Sequence, residues 1–266
     1  MKQNVHRLII LFLFIITFTT HIIYAKQLLI NWPDGKQQLV VVEPQEQWLI
    51  AEGDIILNNI NKQSAIVIKP SNDTRWHQNT LPFRISAQMP TKNKLSIYQA
   101  MLEIARHSNL RFQELDEQDS MTDFVYFKPS DSTICASHVG RKGGMQEIIL
   151  APRCAKGSTM HEILHALGIW HEQSRIDRDQ YIQIDWSNII EGKAHNFEQH
   201  LNDGVDIGAY DYQSIMHYSA YAFSKNGQPT IRPLYGSPNI GQRIQLSEKD
   251  ITALNAIYPP VKGLTK

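Results

Sequence analysis

The sequence has 266 residues, of which 42% are hydrophobic, and its 26 basic side chains balance 26 acidic ones. This composition excludes a disordered or fibrous protein and supplies enough apolar residues for a sizeable core. With a formal net charge of zero, the chain has no net field that would steer it towards nucleic acid or an anionic membrane surface, so we expect neither as a partner.

The first 25 residues have the pattern of a signal peptide. Lys2 and Arg7 precede an apolar run from Leu8 to Phe18, and Ala25 is a small residue at a plausible cleavage site. The apolar stretch also approaches the roughly 20 residues of a spanning helix, so an uncleaved anchor is the alternative. We expect export to a secreted or periplasmic location, with no membrane attachment after cleavage.

Two cysteines, Cys135 and Cys154, are the only ones in the chain. An oxidising compartment after export would permit them to form a disulfide bond. Two buried free thiols are the alternative.

Residues 26–70 are predicted to form short strands. Apolar residues alternate in segments such as Leu39 to Val42 and Ile66 to Ile68, and Glu52-Gly53-Asp54 is a turn signal. The polar stretch that follows looks like a linker, and we place the main domain after it.

The main domain is predicted to mix helices with strands. Helical spacing from Leu95 to Ala105 indicates a first helix, and residues 124–127 and 148–150 are typical of short buried or edge strands. A second helix is expected from Ser158 to Trp170, capped by its first residues, and a last one from about Ser247 to Tyr258.

Residues 161–172 spell His-Glu-x-x-His-x-x-Gly-x-x-His-Glu. Because residues four apart share one face of an α-helix, His161 and His165 can direct two imidazoles at one metal ion. A catalytic zinc site has three protein ligands and an open position, and His171 is the natural third ligand. Gly168 can adopt the positive φ that turns the chain and brings His171 back to the metal. We predict one zinc ion per chain.

Glu162, directly after the first histidine, is expected to act as the general base. In such sites zinc polarises the scissile carbonyl and lowers the pKa of its bound water, which the glutamate deprotonates before protonating the leaving amine. The alternative, a solvated carboxylate between ordinary helix histidines, would require the whole twelve-residue pattern to be accidental.

The same motif together with Ser214-Ile215-Met216-His217-Tyr218 resembles the astacin family of metzincin zinc peptidases, and within it a bacterial-type member with a propeptide. The resemblance extends over nearly all of residues 76–258. It implies an α+β fold with two lobes: a twisted mixed sheet and the active-site helix in a metzincin-type N-terminal lobe, and an irregular C-terminal lobe. It also implies a secreted zinc endopeptidase, made as a monomeric zymogen, that binds protein or peptide substrate as an extended strand.

The resemblance assigns roles to three further residues. Met216 would form the turn beneath the metal, and Tyr218 would be both an extra zinc ligand and a catalytic residue that swings away to stabilise the tetrahedral intermediate. Core packing of these two side chains is the alternative. Arg243 resembles an arginine that favours an acidic side chain just after the cleaved bond, and a solvated arginine is its alternative.

The family pattern also concerns disulfides. It implies a Cys135–Cys154 bond beside an edge strand near Ile148 to Leu150, where substrate would add as an antiparallel strand. A second family disulfide would join a position near Asn109 to the end of the domain after Tyr258, and both of its cysteines are absent. This absence puts the stability of the terminal helix in question more than that of the zinc site.

A signal peptide (1–25), a propeptide (26–70) and a catalytic domain (71–266) follow from the resemblance. Ala51-Glu52-Gly53-Asp54 resembles the propeptide motif Phe-x-Gly-Asp, whose aspartate binds zinc in the zymogen, so Asp54 is the candidate switch residue. A plain surface turn is the alternative, because alanine replaces the phenylalanine.

Glu172 would lie near the amino group that is released by a cut between about Ala65 and Arg75. Pairing of Glu172 with Arg175 or Arg178 is the alternative. For the whole chain, a non-catalytic peptide-binding protein that keeps zinc for structure is the competing function, and intact Glu162 and Tyr218 argue against it.

Overall fold

The computed structural model describes residues 26–31, 37–45, 47–59, 74–201 and 204–261. The predicted signal peptide, the strand expected at Ile66 to Ile68 and most of the expected cut region lie outside the described residues. No helix within the described ranges is long and apolar enough to cross a membrane.

The described residues form three α-helices, eleven strands and several short 3-10 helices. The strands are β1 (Lys26–Asn31), β2 (Gln37–Gln45), β3 (Trp48–Ala51), β4 (Ile55–Asn59), β5 (Thr80–Ile85), β6 (Arg111–Glu114), β7 (Phe124–Pro129), β8 (Cys135–Ser137), β9 (Met145–Leu150), β10 (Ile182–Ile184) and β11 (Ile231–Pro233). The helices are α1 (Thr91–His107), α2 (Lys156–Ala166) and α3 (Glu248–Ile257).

One mixed sheet of nine strands dominates the N-terminal lobe, in the order β1-β2-β3-β4-β8-β9-β7-β5-β6. The pairs β5–β6, β5–β7 and β7–β9 are parallel, whereas β8 runs antiparallel to β9. Helices α1 and α2 pack against each other, and both contribute to the apolar core that includes the sheet residues Phe127 and Ile148. The helix α1 joins β5 to β6, as a parallel pair requires a crossover.

The C-terminal lobe is irregular. It holds the two-stranded sheet β10–β11 and several 3-10 turns around a second apolar cluster, which contains Ile182, Phe197, Tyr210 and Ile231. The predicted α+β fold with two lobes is therefore confirmed, including the mixed sheet and the helix that carries the histidine motif.

The first predicted helix is confirmed, but its spacing pattern does not mark the buried face. Leu95, Tyr98 and Leu102 are exposed, whereas Ile97 and Ile104 are completely buried in the core. Two apolar stripes share this helix, and only tertiary packing selects one of them.

Two expectations about α2 are wrong in detail. The helix begins at Lys156 after Ala155, and no side chain caps it. Thr159 lies inside the first turns, where its hydroxyl donates to the Cys154 carbonyl at 3.4 Å. The helix α3 does begin as expected, because Ser247 and Asp250 form a reciprocal capping box.

The strand near Ile148 to Leu150 is not an edge strand. It belongs to β9, which lies between β7 and β8, so among the strands of this sheet from Thr80 onwards the outer ones are β8 on this side and β6 on the other. The reason is that β8 (Cys135–Ser137) pairs antiparallel with β9 and covers its backbone edge.

The segment before the main domain joins the same sheet. Strands β1 to β4 form an antiparallel meander, and β4 pairs with β8 in parallel through Ile55 and Ser137. Alternating side chains of β4 are buried on both faces: Ile55 packs in a cluster with Val139, and Ile56 in another with Ile149. Residues 42–57 of this segment, which the sequence assigns to a propeptide, are called the prosegment strands below.

The disulfide implied by the resemblance is present between Cys135 and Cys154. Near the position where the resemblance implies a second disulfide, Asn109 forms hydrogen bonds: its amide donates to Asn255 Oδ1 at 2.9 Å and to the Tyr258 carbonyl at 3.1 Å. Hydrogen bonds therefore attach the end of α3 to the N-terminal lobe.

Replacing Asn109 with alanine should lower the free energy of unfolding by about 1–2 kcal/mol, because two partly buried hydrogen bonds are lost. Equilibrium denaturation in urea measures the change. Thr252→Ala, on the exposed side of α3, is the control and should change stability by less than about 0.5 kcal/mol. Equal stability of Asn109→Ala and the parent chain would show that these bonds do not hold the helix.

Candidate metal centre and active site

The histidine motif is placed by a helix and the turn that ends it. His161 and His165 lie one turn apart in α2 and are buried. After Ala166 the chain turns at Gly168, whose φ is +97° and whose amide donates to the His165 carbonyl at 2.8 Å. This turn brings His171 back beside the other two histidines, as the sequence predicted.

The three Nε2 atoms converge. His161 and His165 are 3.1 Å apart at Nε2, and each is 3.3 Å from Nε2 of His171. A tetrahedral zinc ion with imidazole nitrogens at about 2.0–2.1 Å would hold them about 3.3 Å apart. The residues present therefore fit one zinc ion.

Each of these imidazoles uses its other nitrogen to donate a hydrogen bond. Nδ1 of His161 contacts the Ile215 carbonyl at 2.9 Å, and Nδ1 of His165 contacts the Ile169 carbonyl at 2.8 Å. Nδ1 of His171 instead contacts a carboxylate oxygen of Glu52 at 2.8 Å. Donation through Nδ1 leaves all three Nε2 lone pairs facing the same point, which is the arrangement that a metal requires.

Asp54 reaches the same point from the prosegment strands. Its Oδ2 lies 3.3 Å from Nε2 of both His161 and His171. The three histidines and this aspartate form a group whose candidate ligand atoms all lie within 4.8 Å of one another. The carboxylate thus faces the histidines and does not belong to a plain surface turn.

The turn that presents Asp54 has a tight neighbour. Gly53 has φ of +81°, and a Cβ at this position would come within 2.8 Å of the Phe223 ring. A glycine is therefore required here. Ala51, which replaces the family's phenylalanine, is buried in a cluster with Ile55 and Val139.

Glu52 is a site residue that the sequence analysis did not identify. One carboxylate oxygen accepts from His171 Nδ1 at 2.8 Å, and the other from His200 Nε2 at 2.6 Å. Although burial opposes it, His200 and His171 together lower the pKa of this carboxyl to about 2. The residue is the variable position of the Phe-x-Gly-Asp motif, so no local signal marks it.

Glu162 lies on α2 beside the first histidine. It is buried, and its Oε2 has no hydrogen-bond partner among the described residues. Burial raises its pKa well above the usual value, Asp54 adds to the increase, and Arg243 opposes it. A carboxyl with this property is suited to proton transfer.

The second motif, residues 214–218, forms a buried turn that contacts the histidines through the Ile215 carbonyl. Met216 is buried and its carbonyl accepts from the Glu172 amide at 3.2 Å. The Tyr218 ring lies 4.6 Å from the His171 ring, centroid to centroid. Its hydroxyl donates to the Glu52 carbonyl, so its partner lies in the prosegment strands.

Glu172 and Arg243 flank the centre. Glu172 accepts from the Asp211 amide at 2.7 Å and lies 3.6 Å from Arg175, the arginine of one alternative. It borders a cavity of about 250 Å³ that Thr74 also lines. Burial raises the pKa of Glu172 to about 8, against the effect of Arg175. Arg243 is partly buried and donates to the His217 carbonyl at 2.9 Å.

Comparison with known proteins places these features in a family. The family model for Astacin, a family of peptidases, matches residues 68–259. The zinc metalloproteinase nas-13 of Caenorhabditis elegans is 40% identical over 187 residues, 69% of this chain and 41% of that protein. The astacin-like metalloendopeptidase of Mus musculus is 38% identical over 235 residues, 85% of this chain and 52% of that protein.

A solved structure supports the same family assignment. High choriolytic enzyme 1 from medaka fish (Oryzias latipes), a hatching enzyme zinc-protease, superposes with a TM-score of 0.61 at 35% identity, over 71% of this chain and 92% of that one.

The chain spans about half the length of the two curated relatives, and all three similar proteins come from animals. The expected bacterial type therefore finds no support among them. The matched residues make up most of the chain and contain both the histidine motif and the methionine turn. The chain belongs to the astacin family of zinc peptidases.

Proposed function

We propose that this chain is the precursor of a secreted, monomeric zinc endopeptidase, with residues 1–25 as signal peptide, 26–70 as propeptide and 71–266 as catalytic domain. The convergence of the Nε2 atoms of His161, His165 and His171 beside a buried glutamate carries the proposal. Three imidazoles with an acidic neighbour are a donor set suited to catalytic zinc.

When bound, zinc would act as a Lewis acid that polarises the scissile carbonyl and acidifies a water molecule. Glu162 takes the proton from the attacking water and delivers it to the leaving nitrogen. Its raised pKa brings the carboxyl towards the range in which it can both accept and release a proton.

Tyr218 supports the developing negative charge in this proposal. Its hydroxyl is a donor beside His171, and removal of Glu52 with the propeptide would release it from its present carbonyl partner. Met216 supports the floor of the site through the contact of its carbonyl with the backbone of Glu172. These are the family roles assigned to the two positions.

Substrate would lie along β8, which covers β9 on one side of the catalytic region. In the present form β4 occupies this strand, and the Ser137 amide donates to the Asp54 carbonyl at 2.9 Å. The strand β4 runs parallel to β8, whereas the resemblance implies a substrate that runs antiparallel to it. β4 therefore occupies the place of the substrate with the reverse chain direction.

Latency would then have two parts: β4 covers the substrate strand, and the Asp54 carboxylate lies in the histidine cluster. Release of the segment would free both. The new amino terminus would reach the cavity shared by Thr74 and Glu172, where a buried carboxylate can accept an ammonium group.

Glu162→Gln should reduce hydrolysis of a denatured protein by the processed form at least about 100-fold, because the proton acceptor is lost. Product release measured by gel and by amine labelling tests this. Glu103→Gln, on α1, is the control and should retain full activity. Equal background hydrolysis in the parent, Glu162→Gln and chelator-treated samples would favour the peptide-binding alternative.

Asp54→Ala in the uncut chain should raise peptidase activity by about tenfold or more, since a contact to a charged group is worth about 1.5–3 kcal/mol. A quenched fluorescent peptide reports the rate, and intact mass confirms that the chain has not been cut. If the uncut variant is as silent as its parent, the cover of β8 by β4 accounts for latency by itself and the switch role of Asp54 is rejected.

Arg243→Ala should remove a preference for an acidic side chain just after the cleaved bond. We expect the acidic-to-neutral ratio of kcat/KM to fall about tenfold, because the charge-assisted contact disappears. A peptide library profiled by mass spectrometry measures the ratio. Arg232→Ala, which removes an exposed arginine paired with Asp185, should leave the profile as it was; a parent enzyme without acidic preference would reject the role.

A further inference from the structure

The three histidines differ in what orients them. His161 and His165 donate to backbone carbonyls at Ile215 and Ile169, within the region matched by the family model. His171 alone donates to a side chain, the carboxylate of Glu52, which belongs to the prosegment strands. One of three ligands therefore depends on a segment outside that region for its orientation.

Glu52 is firmly held in this position. His200 donates to its second oxygen at 2.6 Å, and the Ser174 hydroxyl lies 3.3 Å from the oxygen that faces His171. Tyr218 donates to its backbone carbonyl. Four donors thus converge on one residue that is only 8% exposed.

His200 is itself fixed. Its ring lies against the ring of Trp170 at a centroid distance of 3.8 Å, and its backbone amide donates to the Ser174 carbonyl at 2.9 Å. His200, the partner of the second Glu52 oxygen, is therefore anchored in the C-terminal part of the chain independently of the prosegment strands.

The backbone of Glu52 adds an independent observation. Its φ is +48°, in the left-handed region that a residue with a side chain rarely adopts. The same turn with glycine at this position would avoid the steric cost, but it would lack the carboxylate. The hydrogen bonds of the Glu52 side chain offset this cost.

A carboxylate that accepts from the distal nitrogen of a histidine ligand fixes the tautomer and ring orientation and makes the metal-facing nitrogen more basic. Loss of such a partner typically weakens metal affinity by about 10–100-fold. The backbone carbonyls behind His161 and His165 orient those rings without a negative charge.

We propose that Glu52 is a positioning residue for the metal: in the uncut chain it fixes His171 as a ligand, so that the prosegment strands strengthen zinc binding as well as covering the site. The inference rests on the zinc site of the proposed function. The prosegment would thus favour metal loading before activation, and its removal would leave His171 without this partner.

The test is zinc affinity of the full-length, uncut chain, measured by competition with a chromophoric chelator. Glu52→Gln keeps the volume of the side chain but has one acceptor oxygen for two histidine donors. We expect its zinc dissociation constant to rise about 10–100-fold.

Glu43→Gln is the matched control. This second prosegment carboxylate contacts Lys193 and lies 3.7 Å from His195, also in the C-terminal lobe, and its ion pairs do not involve the three histidines. Its zinc affinity should change less than about twofold. An equal loss in both variants would show a general loosening of the prosegment strands and would overturn the proposal.

A second comparison, made in chains that also carry Asp54→Asn, separates the effect of Glu52 on zinc affinity from that of its neighbour Asp54. If Glu52 acts through His171, the factor caused by Glu52→Gln should persist when Asp54→Asn is also present. If the factor disappears in that background, Glu52 only positions Asp54, and the proposal fails. Should Glu52→Gln not fold, His200→Ala removes the support of the carboxylate and should weaken zinc binding at least about threefold.

Failure of this inference is distinguishable from failure of the proposed function. A parent chain that binds no zinc would refute the zinc peptidase itself. A parent chain that binds zinc with the same affinity as Glu52→Gln would refute only the positioning role of Glu52.

Discussion

The convergence of three buried imidazole nitrogens is the constraint on which the site depends. Two of them come from one face of α2, where the helical repeat alone brings them together. The third requires the chain to reverse within a few residues, and Gly168 with its positive φ provides that reversal. Burying these rings without partners for Nδ1 would cost free energy, so each position also needs an acceptor. The acceptors are the Ile215 carbonyl, the Ile169 carbonyl and the Glu52 carboxylate.

The sheet explains how substrate access and latency, as proposed for this chain, can share one surface. The strand β8 has a backbone edge that must pair with something or face water. In the present form it pairs with β4, whose Ile55 and Ile56 are buried on opposite faces. This apolar burial keeps the prosegment strands in place, and the two carboxylates at the Glu52–Asp54 turn then face histidines that offset their desolvation.

Local geometry explains which features the sequence could predict. The spacing from His161 to His171 determines helix face and turn by itself, and Ser247 with Asp250 forms a cap within one turn. The place of β9 inside the sheet and the exposed face of α1 are non-local, because they depend on which elements pack against them. Glu52 could not be predicted for the same reason: its partners His171 and His200 lie more than a hundred residues away in the chain.

The missing second disulfide concerns the metal centre more directly than the sequence suggested. Asp250 of α3 accepts from the Ser214 hydroxyl at 2.7 Å and from the Ile215 amide at 3.0 Å. The Ile215 carbonyl in turn accepts from Nδ1 of His161. The terminal helix is therefore linked through two contacts to a predicted zinc ligand, so hydrogen bonds such as those of Asn109 that hold this helix also help to hold the ligand. A continuous series of hydrogen bonds thus connects α3 with the metal centre.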